Sequence, residues 1–363
     1  MNRIILLGNG FDLAHGLNTR YTDFINDYWE SKLDLFIKSY REGKLSFRSQ
    51  GDRPKFDYTD KDITITNLEY ISGLKIIDEP ERKGYERFKY FTMRIPASQD
   101  RCFTFTNKLL EQITDKKYIN NWVDIEEEYY DSLKKYYKDL EKIIILHNDF
   151  QNIQDSLEKY LQKVTNESIK TLQNIDRFIF SPLDKDDFID TLETNENIDK
   201  IIFLNFNYTP TACLYSYGRT IRTEIIHIHG ELGRKDNPII FGYGNERDDQ
   251  YKLIEKENRN ELFKYIKSFR YSKNNNYRNI IRNINMKEYQ IFIFGHSCGL
   301  SDSTLLSSLF EHNNCKSIKI FYYKDPSGID NYNNTYMNIS RHFSNKEKMR
   351  RIIVPQELSI AYC

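Results

Sequence analysis

Short unbroken apolar runs alternate with long amphipathic stretches along this chain, and the two patterns predict different elements. Four runs are rich in β-branched and aromatic residues and end in glycine, asparagine or a polar cluster: RIILLG at 3–8, KIIFLNFN at 200–207, EIIHIHG at 224–230 and YQIFIFG at 289–295. Apolar residues without alternation suit strands buried on both faces, as in a parallel sheet. SIKIFYY at 317–323 and RIIVP at 351–355 extend the set. After FGHSCG, the residues Leu305, Leu306, Leu309 and Phe310 fall on one helical face, so strand, turn, helix and strand form a βαβ unit. The pattern predicts an α/β fold with a doubly wound, Rossmann-like parallel sheet.

A long excursion separates the first run from the second. Residues 22–40 carry Phe24, Ile25, Tyr28, Trp29, Leu33, Phe36 and Ile37 on one side of a helix. Residues 43–100 are polar and punctuated by Gly and Pro, an irregular insert with weak hairpin-like alternation in DITITNLEYISG. Residues 101–195 are mostly amphipathic, as in WVDIEEEYYDSLKKYYKDLEKIIILHNDF. The expected organisation is a sheet domain of 1–42 and 196–363, the irregular insert, and a large helical insertion at 101–195 that serves as cover, sensor or assembly element.

Composition narrows the class. Lys+Arg and Asp+Glu are both 53, so no net charge steers the chain to nucleic acid or an anionic membrane. No apolar run approaches membrane-spanning length, and NRIILLG is too short for a signal-peptide core. Five scattered cysteines (Cys102, Cys213, Cys298, Cys315 and Cys363) include no C-x-x-C pair, which suggests reduced thiols in a cytoplasmic protein.

Four strand ends carry candidate chemistry. The first, GNGFD, places Gly8, Asn9, Gly10, Phe11 and Asp12 in a tight βα turn. Its backbone amides could face a phosphate, although neither the G-x-G-x-x-G spacing nor a P-loop lysine is present. Asp12 suits a ribose hydroxyl or a structural cap. The second, LNFNYT, offers Asn207 as an uncharged donor and acceptor, with Asn205 as strand punctuation. In IIHIHGEL, His229 precedes Gly230 at a strand end, where a histidine can serve as general base. His227 lies on the same face; H-x-H is also a metal-site fragment, but no third ligand at a known spacing accompanies it and no metal is expected. The fourth, FGHSCG, contains Gly295 and Ser297 and also satisfies G-x-S-x-G, a nucleophile elbow that would need a later acid such as Asp325 and a His such as His312 or His342. Trp122, Asp124 and Glu126 open a helix whose acids complement its dipole.

Taken together, GNGFDLAHGL-T-YTDF, W-DIE, LNFNYT, IHIHG and FGHS-G-SD resemble the bacteriophage abortive infection AbiH family nearly end to end. The resemblance implies an intracellular anti-phage protein acting on an unknown phage trigger, as a monomer or homo-oligomer. Within the set, GNGFDLAHGLNTRY is similar to the first glycine loop of sirtuins, NFNYT to the segment holding their catalytic asparagine, and IHIHG to their His-Gly strand end. FGHSCGLSD is similar to a later G-x-S segment lining the NAD site. That similarity implies a sirtuin-like sheet with NAD as substrate, Asn207 and His229 as catalytic residues, and Gly8, Asn9, Gly10, Phe11, Asp12, Gly295, Ser297 and Asp302 around the nucleotide. The sequence departs from sirtuins at Asp12, Tyr21 and Thr209 and lacks the zinc-binding C-x-x-C pairs, which argues against acyl-lysine removal and is compatible with an NAD-cleaving module. A serine hydrolase built on Ser297 and a nucleotide-binding sensor without turnover are the alternatives.

Overall fold

The computed structural model describes residues 1–49, 54–69, 81–95, 102–115, 122–165, 169–189 and 197–362. Its strands are β1 (Asn2–Leu7), β2 (Ser46–Ser49), β3 (Lys55–Thr59), β4 (Ile63–Glu69), β5 (Phe103–Phe105), β6 (Lys200–Asn205), β7 (Arg222–His227), β8 (Tyr289–Phe294), β9 (Cys315–Tyr322) and β10 (Ile360–Ala361). They fall into two compact units, one of Met1–Thr19 with Leu161–Cys363, the other of Arg20–Tyr160.

The first unit is built on a six-stranded sheet in the order β10-β9-β8-β1-β6-β7, every neighbouring pair parallel. Read from β7 to β10, the strands come third, second, first, fourth, fifth and sixth along the chain, the order of a doubly wound sheet. The winding reverses between β1 and β8, and in such sheets the crevice at the carboxyl ends beside the reversal is where ligands bind. Both faces are covered because each strand is apolar on both. Ile4, Leu6, Ile202, Leu204, Ile291, Ile293, Ile318 and Ile320 enter one core with Ile280, Ile284, Leu305 and Leu309 from helices. The alternate residues Ile5, Leu7, Ile201, Phe203, Phe292 and Phe294 enter the other, with Ile175, Ile179 and Tyr215. The period of two divides each continuous run between the two layers.

Five of the six anticipated strands are present, with small shifts at their ends. The sixth differs. Arg351 and Ile352 close the helix Lys346–Ile352, started by an Asn345 side chain that accepts from the Glu347 and Lys348 amides. Ile353 makes only a single bridge to Ile318, and β10 pairs instead with Phe321 and Tyr322. Pro355, lacking an N–H, cannot continue a ladder there.

The unit Arg20–Tyr160 holds an antiparallel sheet in the order β2-β3-β4-β5 and the helices Tyr21–Arg41, Gly84–Arg94, Lys108–Asp115 and Trp122–Tyr136, with most of Leu140–Val164. The stretch 43–100, expected to be irregular, contains three of these strands and a helix; in β4 the apolar Ile63, Ile65 and Leu68 are buried. Residues 50–53, 70–80 and 96–100 of it lie outside the described residues. Helix Tyr21–Arg41 buries Phe24, Tyr28, Trp29, Leu33 and Phe36, and Trp29 packs on Phe88 and Phe105. These contacts group the helix with this unit, so the boundaries fall near 20 and 160 rather than 42 and 196. No helix among the described residues is long and apolar enough to cross a membrane.

Candidate functional site

At the winding reversal, the loops that follow β1 and β8 lie against each other. Gly8 caps the helix Asn9–Ala14, and its amide donates to Phe294 O at 3.1 Å; the Gly10 amide donates to Gly295 O at 2.9 Å. A Cβ on Gly8 would stand 2.5 Å from His296 Cα. On Gly295, at φ +65°, it would stand 2.2 Å from the Phe11 amide nitrogen. The approach that these glycines permit is loop to loop. Phe11 is buried against His15 and Tyr215, while Asn9 is half-buried at the start of the helix.

Asp12 is buried in the first turn of that helix. Its Oδ2 accepts from Thr209 Oγ1 at 2.6 Å, and Thr211 Oγ1 lies 3.2 Å from Thr209 Oγ1. Among the described residues, Oδ1 has no partner. Burial pushes the carboxyl up to about 6, against the opposing pull of Thr209, Thr211 and Asn207.

Asn207 stands two residues beyond β6 and His229 two beyond β7, neighbouring strands whose ladder ends at the Asn205–His227 pair. The Asn207 side chain donates to Gly8 O at 2.9 Å, tying the β6 end to the first glycine loop. His229 Nε2 lies 3.0 Å from Asp302 Oδ1 and 3.3 Å from the Tyr271 hydroxyl. Facing the Asp302 carboxylate, Nε2 is assigned the proton, and Nδ1 makes no hydrogen bond among the described residues. Phe206 meets the imidazole edge-on at 5.0 Å.

Asp302 is the hub. Lys267 Nζ donates to its Oδ1 at 2.9 Å and lies 3.4 Å from Ser301 Oγ. His296 Nε2 is 3.8 Å from its Oδ2. Burial alone would raise this carboxyl, but Lys267 and His229 prevail and hold it far below the usual carboxylate range. The Cys298 amide donates to His296 Nδ1 at 3.0 Å, and burial lowers His296 to about 4, so it is neutral near pH 7. Asp302, expected among the nucleotide contacts, lies 3.0 Å from His229 Nε2.

His227 is otherwise engaged. Its Nδ1 is 3.2 Å from Asn205 Nδ2 and its Nε2 is 3.8 Å from Glu231 Oε2. Among the described residues no third His, Cys, Asp or Glu joins the pair in a metal-holding group. Ser297 is exposed, and no hydrogen bond connects its hydroxyl to a histidine among the described residues. His342 is committed to Cys298 O at 2.8 Å and Ser303 Oγ at 3.3 Å, His312 to Asn285 Oδ1 at 2.9 Å, and Asp325 to Ser327 and the Ile329 amide. The elbow pattern is therefore present without its triad. Asp124 and Glu126 lie in the first turns of Trp122–Tyr136, Glu126 buried. The Trp122 side chain and Cys363 lie outside the described residues, and the other four cysteines are unbridged.

Sequence reasoning missed Lys267, Tyr271 and the role of His296. His296 sits inside the quoted FGHSCG and was open to inspection. Lys267 and Tyr271 belong to the short helix Lys267–Tyr271, where nothing in KSFRY distinguishes them from surface residues.

The fold is a doubly wound α/β sheet with His229 and Asn207 beyond the carboxyl ends of neighbouring strands. The family model of bacteriophage abortive infection AbiH matches residues 4–324, and the chain belongs to that family. Its role is accordingly in abortive infection against phage. No curated protein and no solved structure matches the chain.

Proposed function

We propose that this AbiH protein acts by hydrolysing NAD at the nicotinamide–ribose bond, with Asn207 and His229 as the catalytic residues. The observation that carries the reading is the His229–Asp302 pair, 3.0 Å apart, with the second imidazole nitrogen making no hydrogen bond among the described residues. In the proposed reaction, His229 Nδ1 takes a proton from water as the water oxygen bonds to the anomeric carbon. The carbon–nitrogen bond breaks, its electron pair leaves with nicotinamide, and ADP-ribose and a proton are the other products. Asp302 fixes the imidazole tautomer and stabilises the imidazolium that forms, the role a carboxylate plays behind any histidine base. Asn207 Oδ1 accepts from the attacking water or a ribose hydroxyl. The dependence on Gly8, Gly10, Gly295 and Ser297 as nucleotide contacts stands on the sirtuin resemblance.

Incubating the purified protein with NAD and following nicotinamide and ADP-ribose by mass spectrometry tests the reading. Both products should form with the wild type and with Ser297→Ala, and fall at least about 100-fold in His229→Ala and Asn207→Ala. Turnover that survives His229→Ala, or that vanishes only in Ser297→Ala, would overturn it.

A further inference from the structure

A polar cleft of about 460 Å³ shares Tyr271 with the candidate site and has no part in the chemistry above. Its size is that of a small-molecule pocket. Tyr271 and Tyr277 line it, stacked with ring centres 5.5 Å apart and an interplanar angle of 12°. Arg278 and Glu246 also line it, and neither is in an ion pair with any described residue. The Ser268 hydroxyl in its wall is buried and has no hydrogen-bond partner among the described residues. Buried polar atoms are almost always paired, so this hydroxyl is a donor and acceptor still to be satisfied beside the cleft.

We propose that this cleft binds a nucleoside monophosphate and passes its occupancy to His229. Each part of such a ligand has a counterpart: the tyrosine pair for the base, Arg278 for the phosphate, and Glu246 with Ser268 for sugar hydroxyls or an exocyclic amine. Two short routes lead from the cleft to His229. The Tyr271 hydroxyl touches its Nε2 at 3.3 Å. Ser268 adjoins Lys267, and Thr304, another wall residue, is two residues from Asp302, so the cleft walls flank the Lys267–Asp302 pair that orients the imidazole. The ligand thus acts at a distance from the reacting atoms, on the position of the base.

The test uses AMP as the probe, in the absence of NAD, so an error in the proposed reaction leaves it intact; only the coupling half rests on His229 being the base. Equilibrium dialysis should show AMP bound with a Kd below about 1 mM, and adenosine at least tenfold more weakly. Arg278→Ala should weaken AMP by about 10- to 100-fold, the value of a charge-assisted contact. Tyr277→Ala should weaken AMP and adenosine together. In protein labelled with 15N-histidine, AMP should shift the His229 resonances in the wild type and leave them unmoved in Tyr271→Phe, which still binds AMP. No AMP binding, or binding that neither Arg278→Ala nor Tyr277→Ala weakens, would overturn the site. AMP binding with an unmoved wild-type His229 would overturn the coupling.

Discussion

At the scale of single residues, two buried carboxylates behave in opposite ways for one physical reason. Asp302 has a lysine and two histidines around it and stays ionised; Asp12 has only neutral donors and does not readily ionise. Removing the Asp302 charge leaves Lys267 as an uncompensated buried cation, so Asp302→Asn should cost about 3–5 kcal/mol in denaturant unfolding. Adding Lys267→Met should restore much of that stability while activity stays lost, which separates the fold from the orientation of His229. For Asp12 the sign runs the other way from an ordinary paired aspartate. Its folded-state pKa is raised from the usual 3.8 to about 6, so its favourable contribution is full below the lower value and is lost as pH rises through the upper. By pH 7 this amounts to about 3 kcal/mol. Asp12→Asn should therefore flatten the pH dependence of stability between about 4 and 6, read from urea midpoints across that range. The sequence named Asp12, Asn207, His229 and Asp302 because each sits in or beside a strand-end motif. It could not name Lys267, whose meaning arises only when a helix brings it to within 2.9 Å of Asp302.

At the scale of elements, the parallel strands were legible because burial on both faces leaves no polar position to blur the run. β10 was not, since two residues pairing with Phe321 and Tyr322 carry no pattern of their own, and RIIVP offered a better apolar match that Pro355 and the preceding helix disallow. The glycines after β1 and β8 were visible as a turn, whereas their actual constraint, the contact of one loop with the other, depends on a pairing of distant segments. Gly16 and Gly295 provide a matched comparison, as both have positive φ, but only Gly295 faces neighbouring backbone. Gly16→Ala should cost about 1–2 kcal/mol from backbone strain alone. Gly295→Ala, driving a methyl group onto the Phe11 amide, should cost more than about 3 kcal/mol and separate the two loops. Equal midpoints for the two variants in thermal unfolding would show that the loops do not meet as described.

At the scale of the whole molecule, buried charge occurs at both poles of the sheet, and only one pole has the makings of chemistry. At the amino ends of the strands, Lys319 pairs with Asp187 at 2.6 Å, Gln290 bridges Asp187 and Arg3, and Arg3 donates to the carbonyls of Ile179 and Ser181. That network fastens the 179–187 segment to the sheet. At the carboxyl ends, His229 Nδ1 and Asp12 Oδ1 have no hydrogen-bond partner among the described residues. Family membership assigns the protein to phage defence, and the proposed chemistry gives that defence a means, the removal of a cofactor every infection requires. The most direct measurement is intracellular NAD during phage infection, in cells carrying the wild type or His229→Ala at equal protein levels. The account predicts that NAD falls at least about tenfold with the wild type while nicotinamide and ADP-ribose rise, and that His229→Ala holds NAD steady and loses protection. Full protection by the wild type with unchanged NAD would contradict it.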